Sequence, residues 1–246
     1  AGPGLGGILP SQGDYMMMTH GLGHCDFKVI VFAPSSVQES VELMMLAFEL
    51  ADKYRNPVTL LADGMIGQMM EPVDFDNVKK PNPPDKSSWS TTGAKGRKPH
   101  LIRTLFLDPS EGEVVNRKRA VKYAEIEANE RRHETFNLEK PKKLVLCAFG
   151  TIARVCKTAL DILKKEGIEV GLFRPITLWP FPFPELKKIA ATTEMFLSVE
   201  MNNGQMIEDI RFALEGKKPV HFYGRQGGQV PAPEEVVAEV KKLLGK

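Results

Sequence analysis

Leu144-Val145-Leu146-Cys147-Ala148-Phe149-Gly150-Thr151-Ile152 decides the fold of this chain. The apolar run from Leu144 to Phe149 is too short for a helix, is stopped by a glycine, and reads as a buried strand. Gly150 and Thr151 then make a turn with a capping hydroxyl. A helix pattern follows over 152–166. Toward the carboxyl terminus the same alternation repeats: strand 168–173, helix 185–191, strand 196–200, helix 204–214, strand 219–223 and helix 233–244. Regular alternation of short apolar strands with amphipathic helices predicts a parallel sheet covered on both faces.

The amino-terminal part carries a smaller copy of this pattern. Residues 28–33 (Lys-Val-Ile-Val-Phe-Ala) are rich in β-branched side chains, and Pro34-Ser35-Ser36 is a helix entry signal. The helix predicted over 37–54 has two apolar stripes, one of Val37, Val41, Met44, Phe48 and Ala51, the other of Leu43, Leu46, Leu50 and Tyr54. A helix apolar on so much of its circumference is expected to face the sheet on one side and another domain or subunit on the other. Asn56-Pro57 ends it, and 58–62 is a second strand. Strand, helix, strand in this order is a βαβ unit. The stretch 63–70 then lies off the carboxyl end of a strand, where open α/β sheets bind ligands.

Between the two units the pattern dissolves. The segment 79–103 holds seven Lys/Arg and one Asp among prolines, serines and glycines, and reads as an exposed, solvated connection. Residues 113–136 are strongly charged and read as a solvated or bridging helix. In the second unit, Arg174-Pro175-Ile176-Thr177-Leu178-Trp179-Pro180-Phe181-Pro182-Phe183-Pro184 reads as a stiff extended connection. Each proline drives the preceding residue out of the helical region.

Composition narrows the function classes. A net charge of +2 with 26% charged residues lacks the basic excess that phosphate neutralisation demands, which argues against nucleic acid as the main partner. No apolar run approaches a membrane span, and no signal segment opens the chain. Cys25, Cys147 and Cys156 are too few and scattered for a disulfide framework, so a cytoplasmic location is expected. They are also too few for an iron–sulfur cluster, which takes four thiolates. Ala1 leads directly into a glycine loop, which suggests a piece of something longer.

The candidate chemical features are modest. Gly2-Pro3-Gly4-Leu5-Gly6-Gly7 matches G-x-G-x-x-G, but no strand precedes it, so a ligand-hugging or flexible turn is favoured over a dinucleotide site. His20, His24 and Cys25 have metal-ligand character, yet Gly21 and Gly23 oppose a helix there and a surface turn is favoured. The methionines at 16–18, 65, 69 and 70 suit irregular packing or a subunit contact. Glu200, at the carboxyl end of a strand, is the best isolated acid and could equally cap the next helix. No Ser-His-Asp or Cys-His nucleophile set can be assembled, and the catalytic residues are left unassigned.

Several segments together resemble the α subunit of 2-oxoacid:ferredoxin oxidoreductases, most closely the 2-oxoisovalerate type. They are 2–6 with 9–14 (Leu-Pro-Ser-Gln-Gly-Asp), 33–39 (Ala-Pro-Ser-Ser-Val-Gln-Glu), and 62–72 (Ala-Asp-Gly-Met-Ile-Gly-Gln-Met-Met-Glu-Pro). The proline-rich run, 200–206 and 222–228 (Phe-Tyr-Gly-Arg-Gln-Gly-Gly) complete the pattern. The resemblance implies an α/β fold made of a partial thiamine diphosphate pyrimidine-binding domain over 1–73, a linker and bridging helix over 74–140, and a transketolase C-terminal-like parallel-sheet domain over 141–246. It implies oxidative decarboxylation of a 2-oxoacid to acyl-coenzyme A and carbon dioxide, with electrons passed to ferredoxin. Thiamine diphosphate would be shared with a partner subunit, and magnesium and iron–sulfur clusters would sit on partners only, among β, γ and ferredoxin-like δ subunits. Gly4, Gly6, Pro10, Ser11 and Gln12 would flank the cofactor, and Asp63, Gly67 and Gln68 would border the interface. The family's pyrimidine-side glutamate motif, and an arginine ahead of the glycine loop, have no counterpart in these 246 residues, so inactivity in isolation is expected. The alternatives are a non-catalytic docking domain of such a complex, or the β component of a 2-oxoacid dehydrogenase complex.

Overall fold

The computed structural model describes residues 1–21, 23–24 and 26–246; the surface turn expected around His20, His24 and Cys25 therefore lies partly outside the described residues. In chain order the elements are α1 (Tyr15–Thr19), β1 (Ile30–Phe32), α2 (Val37–Tyr54), β2 (Val58–Leu60), α3 (Gly64–Gln68), α4 (Pro109–Asn129), β3 (His133–Phe136) and β4 (Lys142–Cys147). They continue with α5 (Gly150–Lys165), β5 (Gly171–Pro175), β6 (Thr177–Trp179), α6 (Phe183–Ala190), β7 (Thr193–Glu200), α7 (Met206–Leu214), β8 (Val220–Gly224) and α8 (Pro233–Leu244).

Two sheets form, in the orders β2-β1-β6 and β3-β5-β4-β7-β8. The expected βαβ unit is present, with β1 parallel to β2, and β5, β4, β7 and β8 are mutually parallel as expected. Alternation along each strand divides the core in two. Leu144, Leu146, Leu197 and Val199 pack with Ile152, Cys156 and Val236 on one face of the larger sheet. Val145, Cys147, Phe173 and Phe196 pack on the other face, against Phe32, Leu43 and Leu50 of the smaller unit. One continuous core thus joins the two sheets.

Three expectations are corrected. The proline-rich run is not a single extended rod: Pro175 ends β5, and Thr177–Trp179 crosses to the smaller sheet and pairs antiparallel with β1, through Val31↔Trp179 and Phe32↔Thr177. The larger sheet is not wholly parallel, because His133–Phe136 forms an antiparallel edge strand on β5 instead of the end of a helix. That helix stops at Asn129, where buried Glu130 takes hydrogen bonds from Tyr54 Oη (2.6 Å), Lys53 Nζ (3.0 Å) and Arg132 (3.0 Å) and ties the turn to α2. The strand expected over 168–173 begins at Gly171, since Ile168 and Val170 are buried in the lead-in without a ladder partner.

Helix α2 forms over the expected residues. Ser36 accepts from Glu39 N (3.1 Å) and Glu39 accepts from Ser35 N (2.7 Å), an entry device that fixes its first turn. Its Leu43, Leu50 and Tyr54 stripe faces the core, whereas Met44 and Phe48 of the other stripe are 44% and 67% exposed. The segment 69–107 contains neither helix nor strand; it lies along α2 through Asn82 N to Glu49, Lys86 to Asp52 (2.8 Å) and the Arg55 guanidinium over the Trp89 ring. Helix α4 is solvated, as read from its charges, and buries only Ile126.

Candidate functional site

The carboxyl ends of β1, β2, β4 and β7 converge on one region, where each strand turns into the next helix. Polar groups left by the ended ladders must find partners there. Four carboxylates of the chain do most of this work. At the start of α2, Glu39 accepts from Ser35 N, and Glu71 accepts from Val37 N (3.0 Å) and Arg154 (2.7 Å). The Val37 amide and the Arg154 guanidinium hold the Glu71 carboxyl below the usual range. Asp63 caps α3 through Met65 N (3.0 Å) and Ile66 N (3.2 Å), and also takes Thr151 N (3.2 Å) and Thr151 Oγ1 (2.8 Å) at the start of α5. Glu200, completely buried, accepts from Ser198 Oγ (2.8 Å), Gln205 N (3.1 Å), Met206 N (2.8 Å) and Ile207 N (3.0 Å) and so caps α7. Of the two readings the sequence left open for Glu200, the structure shows the cap.

Gln12 is 4% exposed and lies between the ends of β4 and β7. Its backbone N donates to Met201 O (2.9 Å), its Oε1 accepts from Met201 N (2.9 Å), its Nε2 donates to Phe149 O (2.9 Å), and its carbonyl accepts from Asn202 Nδ2 (3.0 Å). Ser11, Gln12, Asp14, Ala62, Asp63 and Phe149 enclose a cavity of about 30 Å³, room for one water molecule. Gly150, at φ +56°, closes the floor; a Cβ there would stand 3.2 Å from Gln12 Nε2 and 3.3 Å from Asp63 Oδ2.

The structure therefore brings Ser11, Gln12 and Asp63 together. Pro10 packs over Gly64 at the start of α3, 3.5 Å from where a Cβ would be. Gly4 and Gly6 sit at positive φ in an exposed loop whose Leu5 and Ile8 side chains are almost wholly in solvent. Gly67 and Gln68 are exposed on α3 and do not line the cavity. The stretch 63–70 carries a short helix that residue patterning did not show. Thr151, read as a cap for its own helix, instead gives its hydroxyl to Asp63, and the N-cap position of α5 is Phe149.

Sequence reasoning also missed the polar core behind the site. Arg174 is buried; it donates to Ala33 O (3.0 Å), Glu39 (2.5 Å) and Glu134 (2.8 Å), joining β5 to α2 and β3. The one signal was an arginine inside an otherwise apolar strand. Beside the crevice, Tyr15 Oη donates to Asp209 Oδ2 (2.5 Å). Burial, with Asp209 adding to it, raises the Tyr15 hydroxyl well above its ordinary value. Burial also raises the Asp209 carboxyl, against the Tyr15 hydrogen bond that lowers it. Cys147 and Cys156 are buried thiols whose pKa burial pushes far up, so neither is a thiolate nucleophile.

No group of three or more His, Cys, Asp or Glu side chains suited to a metal occurs among the described residues. The helix N-termini that meet at the crevice would ordinarily attract phosphate, but each already holds a carboxylate of the same chain. The residues present thus do not fit a magnesium-bound diphosphate. Among the described residues, no helix is long and apolar enough to cross a membrane.

Comparison with known proteins accounts for this architecture. Residues 1–145 match the family model described as pyruvate flavodoxin/ferredoxin oxidoreductase, thiamine diphosphate-binding, and 143–236 match pyruvate:ferredoxin oxidoreductase core domain II. The chain is 44% identical over all of its length to the ketoisovalerate oxidoreductase subunit VorB of Methanothermobacter marburgensis, covering 69% of that protein. It is 31% identical to the 2-oxoglutarate synthase subunit KorA of Methanocaldococcus jannaschii, with 96% of the chain and 69% of that protein covered. A 2-oxoglutarate:ferredoxin oxidoreductase from Magnetococcus marinus shares the fold, with a TM-score of 0.74 at 22% identity over 98% of this chain and 47% of that one. The chain belongs to the 2-oxoacid:ferredoxin oxidoreductase family.

Proposed function

We propose that this chain is a subunit of a thiamine diphosphate-dependent oxidoreductase that oxidatively decarboxylates a branched-chain 2-oxoacid. The products are acyl-coenzyme A and carbon dioxide, and the electrons go to ferredoxin. The observation that carries the reading is the 44% identity, over the whole chain, to a ketoisovalerate oxidoreductase subunit. The geometry agrees with a shared cofactor. This chain provides a polar, backbone-lined wall, while its own carboxylates fill the helix ends that a diphosphate would need.

Magnesium, the iron–sulfur clusters and the diphosphate grip therefore belong to the β, γ and ferredoxin-like δ subunits of a cytoplasmic hetero-oligomer. The chain is inactive without them. Bound thiamine diphosphate supplies the electron sink for loss of carbon dioxide. The residues here shape and close one side of the crevice: the glycines of the 2–7 loop by close backbone approach, with Pro10, Ser11 and Gln12 behind them. Asp63 sits at the seam of the two sheets, and Gly67 and Gln68 on exposed α3 face the partner.

Purification of the native complex, subunit mass spectrometry, and an assay of 2-oxoisovalerate-dependent ferredoxin reduction with coenzyme A test the proposal. It predicts cysteine-rich partners and turnover that requires thiamine diphosphate. A lipoyl-bearing partner would refute it in favour of a dehydrogenase complex, and a complex that binds no thiamine diphosphate would leave a docking role.

A further inference from the structure

We propose that Gln12 and Asp63 are positioning residues that together form a clamp across the two sheets, fixing the 1–11 loop against the crevice; the ligand-binding part of this rests on the function proposed above. Residues 2–9 are exposed on this chain, and within the loop Gly7 N donates to Ala1 O (3.0 Å). Beyond this, Leu9 rests on Gly228 and Pro10 on Gly64. The first residue to enter the body of the protein is Gln12, and it does so with both main-chain and both side-chain polar groups engaged.

The engagement has a register. Gln12 pairs with Met201, just past the end of β7, through N–H to O and, in return, through its own side-chain oxygen. Its amide nitrogen reaches across to Phe149 O at the end of β4. Asp63 secures the adjacent corner: one carboxylate holds the first turn of α3 in the smaller unit and the first turn of α5 in the larger one. Gly150 lies between them, and any larger residue would press on both Gln12 and Asp63. The two side chains are spent on protein partners. Their effect on bound cofactor and substrate is therefore exerted through the loop they hold, and appears in binding rather than in the bond-breaking step.

The test uses the native complex with three variants: Gln12→Met, which keeps length and loses both side-chain bonds, and Thr151→Val and Thr151→Ser, which remove and keep the hydroxyl on Asp63. Hydrogen–deuterium exchange of the 1–11 peptide reports the loop directly, without turnover. The clamp predicts faster exchange in Gln12→Met and Thr151→Val, and protection restored in Thr151→Ser. It also predicts a KM for the 2-oxoacid or thiamine diphosphate raised roughly tenfold, the worth of about one net hydrogen bond, with kcat little changed. Unchanged exchange in the variants overturns the clamp. So does a fall in kcat at constant KM, which would give these residues a part in the chemistry. If Gln12→Met fails to assemble, the Thr151 pair decides the question alone. A wild-type complex with no 2-oxoacid oxidation would refute the proposed function, while the exchange comparison would still decide the clamp.

Discussion

Replacing Glu200 by alanine separates a structural carboxylate from a chemical one. Glu200 is fully buried and meets four donors within 3.1 Å, three of them the backbone N–H groups of Gln205, Met206 and Ile207. Alanine cannot replace any of these bonds. Met206 and Ile207 are themselves buried, so two N–H groups would be stranded away from water at about 1–3 kcal/mol each. The expected loss is roughly 4 kcal/mol, which for a domain of this size corresponds to a Tm lower by roughly 8–16 °C. Glu200→Gln keeps the shape and one acceptor oxygen but turns an NH₂ toward the donors, and should lie about midway. Thermal unfolding followed by far-ultraviolet circular dichroism measures both. A Glu200→Ala protein whose Tm falls by less than about 3 °C, but whose complex has lost turnover, would show that the carboxylate acts on substrate and that the cap is incidental.

Other perturbations have equally definite signs. Burial pushes the Glu130 carboxyl up, but the Tyr54, Lys53 and Arg132 donors outweigh it and leave it below its usual range. Its stabilising effect is therefore present above about pH 4.3, the ordinary glutamate value, and is lost as pH falls through the depressed value. Tm measured against pH should show a shallower acid limb in Glu130→Gln. Arg174→Met should cost about 3–5 kcal/mol, because Glu39 loses its buried counter-ion; adding Glu39→Gln should restore part of the urea midpoint, and strict additivity of the two would refute the coupling. Cys147 and Cys156 should resist iodoacetamide in the native protein and react after unfolding, as read by peptide mass spectrometry; native labelling at either would contradict their burial.

Local signals made part of the fold legible. Helices α2 and α8 run as read because their ends carry chemistry: Ser36 with Glu39 at the start of one, Pro233 in the first turn and left-handed Gly245 at the end of the other. Hydrophobic runs located the strands of the larger sheet but marked burial rather than pairing, which is why Ile168 and Val170 were counted into β5. The short strands β3 and β6 were invisible. Three or four residues have no period of their own, and β6 exists only because Thr177 and Trp179 meet Phe32 and Val31 from the other sheet. The same locality limited the site. Gln12 and Asp63 stand out by resemblance, but the partners that join them to the larger sheet include Phe149 and Thr151, 137 and 88 residues away. No reading of neighbouring residues reaches that far, and the exposure of Gly67 and Gln68 follows from how α3 is rotated, which the Asp63 cap sets.

In the complex proposed above, the caps would let the chain border a reaction centre yet keep its acidic groups for itself. Strand ends and helix starts in an α/β protein concentrate unpaired N–H groups and positive dipole ends at one edge. In many such folds that edge is the anion site. Here Glu39 and Glu71 occupy the start of α2, Asp63 those of α3 and α5, and Glu200 that of α7, so a second anion would meet negative charge at each of them. The side chains that rigidify the edge are thus the ones that deny it a diphosphate. Rigidity and cofactor grip compete for the same donors, and the division between subunits proposed above would resolve the competition: this chain holds its crevice wall still with internal carboxylates, and a partner would leave its donors free for the charged end of the cofactor.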